Sequence, residues 1–166
     1  MANDLAAAMA GILSRFKEIV TDDGYLMDAL LIQFPDLSGR IKFIDEFIAE
    51  NKIVIHPEVR RMVLHESGII ERLYPARKVN YRELFPGSEL LLPLRNGYDV
   101  SDSGLAGGLG LAERENLLAI AARRMADLTE PEHDVIVTPC ACEAAGLNYP
   151  DQGQVMSLLD YISTFI

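Results

Sequence analysis

Residues 117–142, LLAIAARRMADLTEPEHDVIVTPCAC, form the stretch that decides the fold. Apolar residues spaced three or four apart predict one buried helix face, made of Leu117, Leu118, Ala121, Met125 and Leu128. Arg123 and Arg124 are assigned to the opposite, solvent-facing side. Pro131 ends the helix, and Val135–Val137 is an unbroken apolar run, as expected of a strand covered on both faces. A helix followed by a buried strand predicts a sheet layered with helices.

Two cysteines, the only ones in the chain, follow that strand directly. Cys140 and Cys142 would stand at the start of a helical turn, where unpaired amide groups favour the thiolate form used in metal ligation or redox exchange. With His133 and Glu143 as further ligands, they could hold zinc or iron. A single Cys-x-Cys lacks the second pair that makes a zinc site specific, so buried structural thiols are the alternative.

The first seventy-five residues read as mainly helical. Asn3 or Asp4 caps a first helix that continues to Val20, and Ser38 caps a third. The remaining segments are a helix at Tyr25–Phe34, a short strand at Ile53–Ile55, a helix from His56-Pro57 to Ser67-Gly68, and a further helix at Ile69–Tyr74.

The second part of the chain predicts a small sheet with packed helices. Glu89–Leu94 has the composition of a strand, although Pro93 limits it to an edge or a strand end. Val135–Thr138 supplies the second strand. Asp151 caps a last helix whose apolar residues are Val155, Leu158, Leu159, Ile162 and Phe165. We therefore predict one α-rich domain over residues 1–166, of α+β or α/β class, with a helical part at 1–75 and the sheet within 76–166.

The charge balance limits the classes of partner that the protein is expected to bind. The chain has 15 basic and 25 acidic residues, a net charge of −10, which disfavours nucleic acid and anionic membrane. Residues 56–95 are the only basic part, with seven basic and five acidic residues. Arg60, Arg61, Arg77 and Lys78 are therefore candidate partner-binding residues, in ion pairs within the chain or between subunits. The cysteine usage and the N-terminal sequence predict a reducing, cytoplasmic setting.

Several short motifs between residues 85 and 147 resemble the cysteine-rich CCG domain of heterodisulfide-reductase-like proteins. They are Phe85-Pro86-Gly87-Ser88, Gly97-Tyr98-Asp99-Val100-Ser101, Leu109-Gly110 and Val137-Thr138-Pro139-Cys140-Ala141-Cys142. In that family, cysteines of these motifs help to hold an iron–sulfur cluster. This chain has Ser88 where the family has a cysteine, has no counterpart of the Cys-Cys-Gly motif, and has one residue instead of two between its cysteines. The resemblance therefore implies an ancestry in which the cluster has been lost.

No set of residues forms a nucleophile with a base, so we expect a non-enzymatic protein. The acidic composition and the apolar chain ends favour an interaction protein, either an assembly subunit or an inhibitor of a basic partner. Its partner would be another protein or a second copy of the chain, contacted through Leu159, Ile162 and Phe165. We expect no cofactor under this hypothesis. The alternative is a small thiol-redox or metal-binding protein that uses Cys140 and Cys142.

Overall fold

The computed structural model describes residues 2–56, 59–105, 114–149 and 154–165, without the side chains of residues 2–7 and Tyr98. The strands are β1 (Ile19–Thr21), β2 (Ile41–Phe43), β3 (Arg61–Leu64), β4 (Glu89–Leu91), β5 (Val135–Thr138) and β6 (Val155–Ser157). The α-helices are α1 (Ala2–Leu13), α2 (Gly24–Gln33), α3 (Ile44–Glu50), α4 (Gly68–Leu73), α5 (Tyr81–Leu84), α6 (Arg114–Thr129), α7 (Ala141–Leu147) and α8 (Leu158–Ser163). Turns of 3-10 helix occupy Pro35–Arg40 and Gly97–Asp99. The predicted mixed α/β class is confirmed.

The main sheet has four parallel strands in the order β4-β3-β5-β6. At its centre, Met62 of β3 is in register with Leu90 of β4 on one side and with Val135 of β5 on the other. The core of β3 is fully buried at Met62 and Val63. Parallel strands that are covered on both faces read as continuous apolar runs, and β3 and β5 both follow this rule.

Helices cover both faces of this sheet. Met62, Leu64 and Val137 belong to a cluster with residues of α3, α5 and α8. Val63 and Ile136 point to the opposite face, where α6 and α7 pack on them. Successive side chains of a strand alternate between faces, so each strand contributes to both layers. The result is an α/β/α arrangement.

The N-terminal segments add a smaller unit to this arrangement. Strands β1 and β2 pair in parallel, with Ile19 in register with Ile41. A third apolar cluster, containing Met27 of α2, Phe43 of β2 and Ile70 of α4, joins this unit to the carboxyl end of β5 at Cys140. This apolar cluster therefore packs the small N-terminal sheet against the carboxyl end of the main sheet.

Three predicted elements in the first part of the chain are wrong. Arg61–Leu64 is strand β3 instead of helix, and Ile53–Ile55 is not a strand. Ile41–Phe43 forms strand β2, although it lies in the segment after Ser38 that is predicted to be the third helix. Apolar runs of three residues fit a period of 2 and a period of 3.6 equally well, so only pairing with another strand decides them. The first part of the chain is consequently less helical than predicted.

The first helix is shorter than predicted and packs differently. Helix α1 ends at Leu13, before Ile19 and Val20 enter β1. Ile12 and Phe16, within the segment predicted as this helix, are more than half exposed, whereas Leu13 packs against the N-terminal cluster.

Both predicted strands of the sheet are present, but β4 is shorter than predicted, and strands β3 and β6 are absent from the prediction. Strand β4 ends at Leu91, before Pro93, and β5 covers Val135–Thr138. They do not pair with each other, because β3 lies between them. The predicted last helix begins as strand β6 and becomes helical only at Leu158; its predicted cap at Asp151, like the helix start at Pro57, lies outside the described residues. No helix within the described ranges has the length and apolar character needed to cross a membrane.

Candidate functional site

The direction in which the chain adds strands to the sheet reverses between the neighbouring strands β3 and β5. The chain leaves β3 to form β4 on one side, and leaves β5 to form β6 on the other. Open parallel sheets bind ligands outside the carboxyl ends of the strands at such a point. In this protein, the residues that follow the two strands are largely buried, including His65, Ser67, Cys140 and Glu143. The carboxyl edge is therefore the first place to look for chemistry.

His65 is the centre of a buried polar network at this edge. Its Nε2 lies 3.2 Å from Oε2 of Glu143, and its Nδ1 lies 3.1 Å from Nη2 of Arg124. Because a guanidinium can only donate, Nδ1 must accept, and the proton sits on Nε2 and is donated to Glu143. Burial lowers the pKa of His65, which agrees with a neutral ring. His65 is thus a fixed neutral link between a carboxylate and a guanidinium.

Glu143 is held from the other side by the backbone. The amide of Ser103 donates to Oε2 of Glu143 at 2.7 Å. Burial by itself would raise the pKa of Glu143, but the hydrogen bonds from His65 and Ser103 outweigh it and keep the pKa below its ordinary value. The carboxylate is therefore ionised inside the protein. Ser103 can approach because Gly146 has no side chain; a Cβ there would lie 2.3 Å from Oγ of Ser103.

Arg124 connects this buried network to the surface. Its Nη1 lies 3.6 Å from Oδ2 of Asp127, and Nε of Arg95 donates to the same oxygen at 3.1 Å. Arg124 itself is almost fully buried, which corrects its predicted place on the outer side of the helix. Arg124 is three residues after Ala121 and four before Leu128, which places it on the same helix face as these buried residues. This spacing was the sequence signal for its burial. His65 is likewise a core residue.

The His65 network fills the switch point between β3 and β5, so this point is not open to solvent. Asp102 accepts a hydrogen bond from the Gly68 amide at 2.7 Å, so the segment before Ser103 is fastened over the ends of β3 and β5. His65 and Glu143 have no solvent-exposed surface. A general acid or base must reach its substrate directly or through one water. The arrangement therefore joins β3, α6 and α7 and offers no reacting group to solvent.

The two thiols occur at the predicted place, but the pKa of each is shifted upward, opposite to the predicted shift toward thiolate. Cys140 is the residue before α7, and Cys142 is in its first turn. Burial raises the pKa of Cys140. Burial, followed by the charge of Asp23, raises the pKa of Cys142 to about 12. Desolvation and a neighbouring carboxylate outweigh the amides of this short helix, so both groups are thiols at neutral pH.

His133 is not near the thiols. It lies before the amino end of β5, with Nδ1 2.7 Å from the carbonyl oxygen of Pro131, whereas Cys140 follows the carboxyl end of the same strand. At about 3.3 Å per strand residue, the two ends of β5 are too far apart for shared ligation. Among the described residues, no three His, Cys, Asp or Glu side chains form a group that could hold a metal ion. The geometry gives no support to the redox or metal alternative.

Thiol reactivity provides the corresponding prediction. Since the thiolate is the nucleophile, we expect alkylation of the native protein by iodoacetamide at pH 7.5 to be at least about tenfold slower than that of free cysteine. Mass spectrometry would follow the two modified peptides with time. In guanidinium chloride both cysteines should react at the ordinary rate. Native Cys142 reacting as fast as free cysteine, or zinc or iron that co-purifies and is lost in the double serine variant, would contradict the structural role.

A second buried charge cluster fastens the segment between α4 and α5. Nη1 of Arg77 and the hydroxyl of Tyr81 both donate to Oδ2 of Asp45. Nη2 of Arg77 donates to Oε1 of Glu71 at 3.2 Å, and its guanidinium lies 5.2 Å from the ring centre of Phe43. Burial, followed by the adjacent Asp45, raises the pKa of Tyr81 well above its usual value. Arg77 therefore serves the fold and is not free for a partner.

The other candidate partner-binding cations are of two kinds, those paired within the protein and those exposed to solvent. Arg61 is half-buried, and its Nη1 donates to Oε2 of Glu132 at 2.7 Å. Arg60 and Lys78 are exposed, and no ion pair of either is formed within the described residues. The predicted intramolecular use of the basic region thus applies to Arg61 and Arg77. Arg60 and Lys78 remain open to solvent.

The three candidate residues at the chain end also differ. Helix α8 buries Leu158 and Tyr161 in the core, and Ile162 packs partly against the same cluster. Leu159 is 51% exposed and Phe165 is 42% exposed. Phe165 contacts the ring of Tyr161, with 5.2 Å between ring centres. The last helix therefore packs on the core through Leu158 and Tyr161, whereas Leu159 on the helix and Phe165 after its end are large apolar side chains that stay partly exposed.

Comparison of the sequence and structure with protein-family models, with curated proteins and with solved structures finds no match. The resemblance of residues 85–147 to the CCG domain therefore stays a prediction, and the function is inferred from the geometry alone.

Proposed function

We propose that this protein is a non-enzymatic interaction protein that binds a basic protein surface, as a subunit of a larger assembly or as an inhibitor. The observation that carries the proposal is the outer surface of α8. We define the α8 surface as the side chains of Leu159, Asp160 and Phe165 together with Asp22 at the end of β1. It combines large exposed apolar groups with carboxylates.

The two carboxylates of the α8 surface lie close to each other and have no cationic partner among the described residues. Asp160 lies close enough to Asp22 to contribute, after burial and Asp23, to the raised pKa of Asp22. No lysine or arginine of the described residues forms an ion pair with Asp22 or Asp160. Elsewhere, the carboxylates of Asp45, Asp102 and Asp127 each have an arginine partner. A cationic partner would supply the missing countercharge.

The apolar part of the α8 surface provides the affinity. Burying one leucine or phenylalanine side chain contributes about 1.5–3 kcal/mol. Leu159 and Phe165 are 51% and 42% exposed, so each can contribute about half of this amount at the centre of a contact whose polar rim is formed by the carboxylates. A rim of this kind mainly increases the association rate and selects the charge of the partner. The expected partner has a basic surface that surrounds an apolar depression.

The test compares a surface variant with a matched control. Wild type, Leu159→Ser with Asp22→Asn, and Ile32→Ser with Asp36→Asn would each serve as bait in affinity purification with quantitative mass spectrometry. Ile32, on α2, is 73% exposed, so the control removes an equal number of apolar and charged groups elsewhere. We expect a partner that wild type and the control recover and the α8 variant loses. Its affinity should decrease as salt is raised from 0.1 to 0.5 M.

Circular dichroism must show that all three proteins are folded, and light scattering must test whether the partner is a second copy. A wild-type protein that is monomeric and recovers no partner would refute the proposal. Equal recovery by the α8 variant and the control would refute the assignment of the surface.

A further inference from the structure

His65 is a titratable ring with no exposed surface and with a hydrogen-bond partner on each nitrogen. Nε2 lies 3.2 Å from the carboxylate of Glu143, and Nδ1 lies 3.1 Å from the guanidinium of Arg124. The neutral ring satisfies both contacts, because it donates with one nitrogen and accepts with the other. A protonated ring has two donors and therefore cannot keep its contact with the guanidinium.

A proton on the buried ring would also place two cations side by side. Asp102 is paired with Arg72, and Asp127 on the far side of Arg124 is shared with Arg95, so Glu143 is left to face both cations. Burial lowers the pKa of His65 more than the contact with Glu143 raises it. The charged and titratable groups on the elements around the ring are Glu143 of α7, Cys140 before α7, Arg124 and Asp127 of α6, Asp102 of the segment before Ser103, and Tyr25 of α2 beside Glu143.

Residues 100–105 cover this site, and we call them the edge strap. The Ser103 amide donates to Glu143 at 2.7 Å, and Asp102 accepts from the Gly68 amide at 2.7 Å. The edge strap is neither helix nor strand, and these two contacts hold it through side chains and not through a ladder of backbone bonds. A segment of this kind opens locally at a smaller free energy than strands and helices that pack in the core.

We propose that His65 is the proton sensor of a reversible closure, in which the edge strap is closed over the carboxyl ends of β3 and β5 at neutral pH and opens in mild acid. Opening admits water to the ring, so that the imidazolium is hydrated and no longer faces Arg124 in a buried site. The open form presents the carboxylate of Glu143 at the switch point, where open parallel sheets bind their ligands. This closure does not depend on the α8 surface, so each proposal can fail without the other.

The direction and the size of the effect follow from proton linkage. The closed form keeps the ring neutral, whereas the hydrated ring of the open form titrates near its ordinary pKa of 6.5. The closed form is therefore fully stable above pH 6.5 and loses stability as the pH falls from there towards the lowered pKa of the buried ring. Between pH 7.5 and 5.5 the opening equilibrium constant should rise by up to about tenfold.

Amide hydrogen exchange followed by NMR spectroscopy measures this opening at single residues, after correction for the intrinsic pH dependence of exchange. We expect the protection of the Ser103 amide to fall by up to about tenfold from pH 7.5 to 5.5. Its protection should also stay well below that of amides at the centre of β3, which exchange only by global unfolding. A fall of less than about twofold, or equal protection at Ser103 and in β3, would overturn the proposal.

Glutamine at position 65 removes the titration and can keep both hydrogen bonds. Its amide oxygen can accept from the guanidinium, and its amide nitrogen can donate to the carboxylate. His65→Gln should therefore lose most of the pH dependence of Ser103 protection. His56→Gln and His133→Gln replace the other two histidines of the chain and should keep the wild-type pH dependence.

Arg124→Met is a second variant, which leaves the ring in place. Without the guanidinium, Glu143 can stabilise the imidazolium in the closed form, so acid should lower the protection of Ser103 less than in wild type. Circular dichroism at both pH values verifies that each variant is folded, and either variant decides the question if the other does not fold. Wild-type pH dependence in the folded variants at positions 65 and 124 would show that His65 is not the sensor.

Discussion

Replacing Arg77 by alanine is expected to lower the free energy of unfolding by about 3–5 kcal/mol, because it leaves the charge of Asp45 buried without compensation. The side chain of Arg77 is only 5% exposed and that of Asp45 is not exposed at all. The change also removes the bond to Glu71 and the contact with the ring of Phe43. Urea unfolding followed by circular dichroism would measure the loss.

Lys78→Ala is the matched control for this prediction. Lys78 is the next residue in the chain, carries the same charge and is exposed, so its replacement should change the unfolding free energy by less than about 0.5 kcal/mol. A large difference between neighbours would show that the cost comes from the buried pair and not from the loss of positive charge. Equal unfolding midpoints for the two variants would contradict the role assigned to Arg77.

Replacing Arg124 by methionine is expected to cost about 3 kcal/mol of unfolding free energy. Methionine retains much of the apolar stem, so the loss is mainly that of the guanidinium. Nδ1 of His65 would lose its donor, and Asp127 would retain only Arg95 as an arginine partner among the described residues. The negative charge of Glu143 would also lose the nearest buried cation of the network. Thermal and urea unfolding together would measure the effect.

Arg123→Met provides the comparison, since Arg123 is exposed one position earlier on the same helix. It should have little effect on stability, within about 0.5 kcal/mol. If the variants at 123 and 124 unfold at the same urea concentration, the His65 network does not stabilise the fold and the assignment of Arg124 is wrong.

The layered architecture can be predicted from the sequence because the buried residues of one helix or strand recur at a regular spacing. Helix α6 and strand β5 were both predicted, since the period of apolar residues in one stretch reports which side is covered. Strand β4 is predicted to run to Leu94 but ends at Leu91, before Pro93, which has no backbone donor for a further ladder bond. Strand β3 was missed, since His56-Pro57 resembles a helix start and Met62–Leu64 is too short to show a period. Its central position depends on pairing with two distant strands.

The buried charge networks could not be predicted from the sequence, because their members are far apart in the chain. His65 and Glu143 are 78 positions apart in the chain, and Arg77 and Asp45 are 32 apart. A polar residue has the same local pattern whether it faces solvent or a buried partner. The protonation of Cys140 and Cys142 was likewise misjudged, because the helix start is visible in the sequence but the surrounding burial and Asp23 are not.

The sequence by itself determined the mixed α/β class, the acidic charge and the positions of α6, β4 and β5, because composition and periodicity are properties of neighbouring residues. Only the tertiary structure decided which charges are buried and which arginines are occupied. Those properties depend on contacts between distant segments, and desolvation at such contacts changes the energy of a charge far more than any local preference does.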